Sequence, residues 1–356
     1  MIGDRWTVRE IGSWALALIL GGGGGAAFAW ARLPLPWMLG AMTACTVTAL
    51  SGWRPALPRS WRSLMIAVLG VMLGSAFTPG LPAQALRWWP SLSVLLALLV
   101  FTTIAGMAYL RRFAGMGPVT AYFAAAPGGV SEMVTTGGAM GGDERSIALS
   151  HALRIMLIVF VVPVAFRLIT GVRSAPVTST MGRLLDMAPT DGAILTACLV
   201  VGFGLARLAR LPAAGLFGPL IASAAVHMAG ITASRPPAEL VIIAQVVTGA
   251  AIGCRFVGLS WRKIGGTVGV AVGSTAIMLA ASAGGALAVS LAGDLPFGLL
   301  LLAFVPGGIA EMSLIALALG QDVAFVSTHH LVRVVMVLGL APLVFRLARR
   351  GGRDAP

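Results

Sequence analysis

Pro127-Gly128-Gly129-Val130-Ser131-Glu132-Met133 and Pro306-Gly307-Gly308-Ile309-Ala310-Glu311-Met312 are two versions of one heptapeptide, 179 positions apart. Each interrupts an apolar stretch, 117–140 and 296–319, near its middle. Proline has no N–H to give to a helix and glycine weakens one, so neither stretch is an unbroken helix. Working outward from these two breaks, an offset of 178 to 179 keeps the halves in register. Arg32-Leu33-Pro34 falls on Arg210-Leu211-Pro212, Gly40 on Gly218 and Gly52 on Gly230. Gly74 and Phe77 fall on Gly253 and Phe256, Asp143 on Asp322, His151 on His330, Arg154 on Arg333 and Pro163 on Pro342. Chance similarity between apolar segments would align Leu and Ala rather than His and Arg, so the pattern reads as an internal duplication of residues 1–180 and 181–356.

The segments around the breaks are membrane-like. Of 356 residues, 58% are hydrophobic and 10% charged; a soluble domain carries about 25% charged residues. Apolar runs long enough to span a bilayer lie near 13–31, 34–52, 63–79, 88–110, 147–170, 191–209, 212–231, 238–257, 266–290 and 323–345. The expectation is an all-α polytopic membrane protein with about ten transmembrane helices and two broken or re-entrant segments. The net charge of +13 comes from small basic groups between the apolar runs and forms no continuous patch, so direct nucleic-acid binding is not expected. Cys45, Cys198 and Cys254 stand singly in apolar segments and read as packing residues. Ala27-Phe28-Ala29-Trp30-Ala31 has the small-residue pattern of a signal-peptidase site, but the first helix has a counterpart at 191–209, which argues against cleavage. The run Gly21–Gly25 lies within a span without a preceding strand or a following Gly-Lys-Ser/Thr, so it reads as a close helix contact and not as a phosphate loop.

Topology depends on whether the broken segments turn back. If they do, each half crosses five times, the second repeat is inverted, and 16 Arg and Lys lie inside. The outside then holds six: Arg32, Arg87, Arg167, Arg173, Arg183 and Arg235. If they span, the repeats are parallel and the division is 15 to 7. Both arrangements place the termini in the cytoplasm. Interrupted segments at matching positions of two halves are characteristic of midplane transport sites, which favours the inverted repeat.

Six ionisable residues fall within the apolar segments and mark a candidate substrate or proton site: Glu132, Glu311, His151, His330, Arg154 and Arg333. The breaks Pro127, Gly128, Gly129, Pro306, Gly307 and Gly308 free backbone groups that protein or water must satisfy. A plain structural reading stands beside each functional one. The glutamates sit three residues into a resuming helix, where an acid caps the N-terminus. The arginines suit an ion pair with a glutamate, which a solute carboxylate could replace. The histidines are either proton carriers or partners in helix contacts. His-x-x-Arg puts both side chains on one helical face. His329 beside His330 raises a metal alternative, but no metal-ligand spacing is present and no metal or other cofactor is expected. Ser131, Thr135, Thr136, Ser146, Ser150, Ser327 and Thr328 surround the constellation without any one standing out. His227 has no partner in the pattern.

The run Leu35-Pro36-Trp37-Met38-Leu39-Gly40-Ala41, the doubled Pro-Gly-Gly-x-x-Glu-Met motif and the His-x-x-Arg helices together resemble the AbrB-type bacterial membrane proteins, over nearly the whole chain. These are distinct from the soluble DNA-binding transition-state regulators that share the name. The resemblance implies a bacterial inner-membrane protein of a family labelled variously as ammonia monooxygenase, as regulator of gene expression or as transporter. Ala213-Ala214-Gly215 replaces Leu35-Pro36-Trp37 in the second half, which leaves the equivalence of those two helix entries open. The sequence points to a proton-coupled secondary transporter of a small polar or carboxylate-bearing solute, with its site where the repeats meet. A membrane-embedded sensor acting indirectly on gene expression is the alternative, and an enzyme is not expected. The expected partners are the lipid bilayer, the solute and a second copy of the chain.

Overall fold

The computed structural model describes residues 7–171, 181–211, 213–259 and 261–351, and its side chains except those of 170, 261–264, 338 and 340–351. Arg173 and Pro212 of the sequence argument lie outside the described residues. The first half supplies α1 (Val8–Trp30), α2 (Pro36–Leu50), α3 (Arg59–Gly74), the short α4 (Leu81–Ala85), α5 (Trp89–Ala114), α6 (Pro118–Ala125), α7 (Val130–Ala139) and α8 (Glu144–Thr170). The second supplies α9 (Pro189–Leu208), α10 (Ala214–Met228), α11 (Ala238–Gly253), α12 (Trp261–Ala292), α13 (Phe297–Phe304), α14 (Ile309–Ala318) and α15 (Val323–Gly351). No strand occurs among the described residues, and each of the ten apolar runs contains a helix. Among the described residues six helices are long and apolar enough to cross a membrane: α1, α5, α8, α9, α11 with its 3-10 extension to Phe256, and α12. α2 and α10 have 15 residues each, about 22 Å of helix against a hydrocarbon core of about 30 Å.

The chain forms two compact units, and each takes helices from both halves of the sequence. The first holds residues 1–81, 171–264 and 317–320. In it α1 packs on α2 and α9 on α10. A Cβ on Gly40 would overlap the backbone of Gly24, and one on Gly218 would overlap that of Gly202. α3 lies on α10, where Gly74 meets Leu220 and Ser223, and α11 lies on α2, where Gly253 meets Met42 and Cys45. Glycines thus bring backbones together where apolar side chains gain nothing by leaving lipid. Within Gly21–Gly25 the expected close contact is made by Gly21, Gly24 and Gly25, while Gly22 and Gly23 face open space.

The two helix entries that differ in sequence share one backbone path. Arg32 and Leu35 have φ of 53° and 45°, and Arg210 and Ala213 have 52° and 46°. A non-glycine residue in this left-handed region costs about 1–2 kcal/mol. The turn into α2 and α10 is therefore imposed by the surrounding packing and not by the residue that sits there.

The second unit holds residues 82–170, 265–316 and 321–356. Its core gathers Leu99 and Leu110 of α5, Phe123 of α6, Met133 of α7, Ile147 of α8, Met278 of α12 and Val337 of α15. α7 folds back along α6. The Asp143 N–H donates to Thr120 Oγ1 at 3.0 Å. A Cβ on Gly137 would lie 3.1 Å from Phe123 Cβ. The first broken segment is thus a helical hairpin.

Candidate functional site

Both breaks are built the same way. Ala126 leaves α6 with φ −56° and ψ 124°, and Val305 leaves α13 with φ −58° and ψ 132°. The Gly128 N–H reaches back to the Ala126 carbonyl at 2.9 Å, and the Gly307 N–H to the Val305 carbonyl at 2.8 Å. The glycines at 128, 129, 307 and 308 all keep negative φ. Conformational freedom is therefore not what they supply. They supply room: a Cβ on Gly128 would lie 2.8 Å from Val337, and one on Gly307 would lie 2.6 Å from Met312. Cβ atoms on Gly129 and Gly308 would run into the carboxylates of Glu132 and Glu311.

Those carboxylates curl back over the glycines at which α7 and α14 begin, and both side chains are half-buried. The position matches the acidic cap expected at a helix N-terminus. No ion pair to Arg154 or Arg333 is found among the described residues; the arginines point elsewhere. Arg154 is 4% exposed and Arg333 3%. Arg154 Nη1 donates to the carbonyls of Ala125 (3.0 Å) and Ala124 (3.4 Å) and approaches Met278 Sδ at 3.8 Å. Arg333 Nη1 donates to the Val305 carbonyl (2.8 Å) and its Nη2 to the Gly307 carbonyl. Each guanidinium thus occupies carbonyls that the break takes out of the helix ladder, and places a cation at a helix C-terminus.

His151 and His330 connect these arginines to the same segments. His151 Nε2 donates to the Phe123 carbonyl (2.9 Å) while Nδ1 accepts from Arg154 Nη2 (2.8 Å). His330 Nε2 donates to the Leu302 carbonyl (2.9 Å) while Nδ1 accepts from Arg333 Nη2 (2.8 Å). A carbonyl only accepts and a guanidinium only donates, so the neutral Nε2–H tautomer satisfies both ring nitrogens. A second proton would set N–H against N–H. The geometry gives the histidines a linking role.

The six residues and both breaks therefore lie in one compact unit, and in each half hydrogen bonds join the His–Arg pair to carbonyls of its break. One donor on each arginine is left over: Nε of Arg154 and Nε of Arg333 are buried with no hydrogen-bond partner. A helix terminus stabilises a charge by up to about 2 kcal/mol in partly buried settings, less than the several kcal/mol that desolvation costs each ion. Two buried cations without a carboxylate partner remain attractors for an anion.

Three contacts carried no signal in the sequence. Met278 meets Arg154 as one apolar residue in a long span, and Ser282 donates to the Phe304 carbonyl at 3.2 Å from the middle of α12. His329 joins Ser91 at 2.8 Å, although 238 positions separate them, and lies beside Trp88 and Phe325. In the first unit Gln245 is fully buried with both amide atoms unpaired; a glutamine within an apolar run was the available clue. Among the described residues no three His, Cys, Asp or Glu side chains approach closely enough to hold a metal ion.

The family described as "Transition state regulatory protein AbrB" matches residues 37–349, which include both breaks and both His-x-x-Arg pairs. A Bacillus subtilis strain 168 protein named "Uncharacterized protein YhjN" is 25% identical over 338 residues, covering 88% of each chain. An Escherichia coli K12 protein named "Putative regulator AbrB" is 26% identical over 318 residues, 88% of this chain and 90% of its own. By the extent of the family match, this chain belongs to the AbrB family.

Proposed function

We propose that the protein is a secondary transporter of the bacterial inner membrane that carries a small carboxylate-bearing solute together with protons, both termini facing the cytoplasm. The observation that carries this reading is the pair of buried guanidiniums without a carboxylate partner, each with an unpaired Nε–H. An anion bound between the two breaks would offset that charge and take those donors. The half-buried Glu132 and Glu311 are the proton-exchanging groups, since the ring nitrogens of His151 and His330 are already engaged. The inverted repeat is part of the proposal. The fold-back of α7 on α6 and the matched glycine contacts of the two halves support it. Carriage, not catalysis, is the role assigned to these residues.

Uptake by proteoliposomes tests the reading. The wild-type protein is expected to accumulate a small carboxylate when a pH gradient is imposed, and the double variant Glu132→Gln/Glu311→Gln to lose the response to that gradient. Uptake indifferent to the gradient and unchanged in the double variant would overturn it.

The printed name of the Escherichia coli relative favours a second reading, a membrane-embedded sensor whose bound anion changes gene expression through another protein. Tight solute binding without flux across sealed vesicles would select it.

A further inference from the structure

The two broken segments share a backbone but differ in the face they present. On α7 the positions Ser131, Glu132, Thr135 and Thr136 form one continuous helical face, because residues four apart are neighbours. The matching positions of α14 are Ala310, Glu311, Leu314 and Ile315. Ser131 and Thr135 are exposed and Glu132 and Thr136 half-buried. Leu314 and Ile315 are buried at 1% and 0%. A carboxylate with two exposed hydroxyls beside it cannot face hydrocarbon without large cost, so this side of α7 requires water or a polar solute. At the turn of the same hairpin lies Arg154, almost fully buried, with Nε unpaired.

We infer that the Ser131-Glu132-Thr135-Thr136 face of α7 lines the aqueous route by which a hydrogen-bonding solute reaches the arginines, and that Ser131 and Thr135 are solute contacts. The solute-contact part rests on the transporter reading; the aqueous face does not. α14, with Leu314 and Ile315 in the corresponding places, is the fixed counterpart, and the first hairpin is the one that admits solute.

Single cysteines at Ser131→Cys, Thr135→Cys, Ala310→Cys and Leu314→Cys test this in full-length chains carrying Cys45→Ser, Cys198→Ala and Cys254→Ser. They are reconstituted in vesicles and treated with a membrane-impermeant methanethiosulfonate. Cysteines at 131 and 135 are expected to react at least about ten-fold faster than those at 310 and 314, since reaction needs a hydrated thiolate. Hydroxyl-radical footprinting of the unaltered protein in nanodiscs gives the same comparison without substitutions, with oxidation of the 130–136 peptide expected to exceed that of 309–315. Equal or reversed reactivity, or reaction at 131 and 135 only after detergent extraction, overturns the aqueous face. Fast labelling that no transported solute slows retains the aqueous face and removes the solute contacts. Absence of transport with fast labelling removes the transporter reading alone.

Discussion

The first and second breaks share their turn geometry, their His–Arg linkage and the position of their glutamate, yet their arginines grip different atoms. Arg333 spans its break, with one nitrogen on the Val305 carbonyl and the other on Gly307. Arg154 stays on one side, on Ala124 and Ala125, and fills the remaining space with Met278 sulfur. The limb beyond the second break is apolar and mostly buried, while the limb beyond the first is polar and partly open. Two matching breaks can thus keep one hydrogen-bond pattern while the limb after one is apolar and mostly buried and the limb after the other polar and partly exposed.

The largest expected effect of this difference is on the arginines themselves. Arg333→Ala abandons carbonyls on both sides of its break and should destabilise the detergent-solubilised protein by about 2–5 kcal/mol. Arg154→Ala should cost less, and the order of the two melting temperatures reads the comparison directly. Equal losses would mean that the bridging grip of Arg333 has no energetic weight. Next come the glycines. Gly128→Ala pushes a methyl against the stiff, branched Val337 as well as Met133, whereas the three atoms nearest a methyl at Gly307 all belong to the unbranched Met312. The first should cost about 1–3 kcal/mol and the second less; thermal unfolding of both variants checks the ranking.

The smallest effect is at the caps that start the following helices. Asp143 accepts hydrogen bonds from Ser146 Oγ and the Arg145 N–H, and Asp322 from the Phe325 N–H. The Ser146 hydroxyl holds the Asp143 carboxyl below its ordinary value against the opposing effect of burial, helped by nearby backbone N–H groups and the Arg145 charge. Its folded pKa being lowered, its contribution is present above the ordinary carboxylate range and is lost as pH falls through the lower folded value. Asp143→Asn should therefore change stability near neutrality by no more than about 0.5 kcal/mol, yet flatten the acid side of the stability profile. An unchanged acid limb would show that the cap is not formed by the ionised carboxylate.

Much of this was legible in the sequence because it depends on local chemistry. Pro-Gly-Gly ends a helix in any setting, His-x-x-Arg shares a face by helical geometry, and an apolar run of about 20 residues forms a helix with few alternatives. What was not legible depends on distant partners. The glycines of the breaks read as weak points in a helix, but the room they leave is taken by Val337, Met133, Met312 and the two glutamates. The arginines suggested ion pairs, but the freed carbonyls lie nearer and compete for them. The change from Leu-Pro-Trp to Ala-Ala-Gly suggested different helix entries, but packing imposes one backbone on both. Nor does the repeat boundary expected near residue 180 announce that each compact unit takes helices from both halves.

The central claim is that two buried guanidiniums, each with an unpartnered Nε and without a carboxylate partner among the described residues, make this an anion site, and ligand-induced thermal stabilisation of the purified protein in detergent tests it most directly. A set of small carboxylates, amines and neutral polyols of similar size is compared. A ligand that binds only the folded state at about 100 times its Kd adds about 2.7 kcal/mol of stability. At least one carboxylate should raise the melting temperature of the wild-type protein, and the shift should vanish in Arg154→Ala/Arg333→Ala. Stabilisation by amines or polyols with none by any carboxylate would contradict the account.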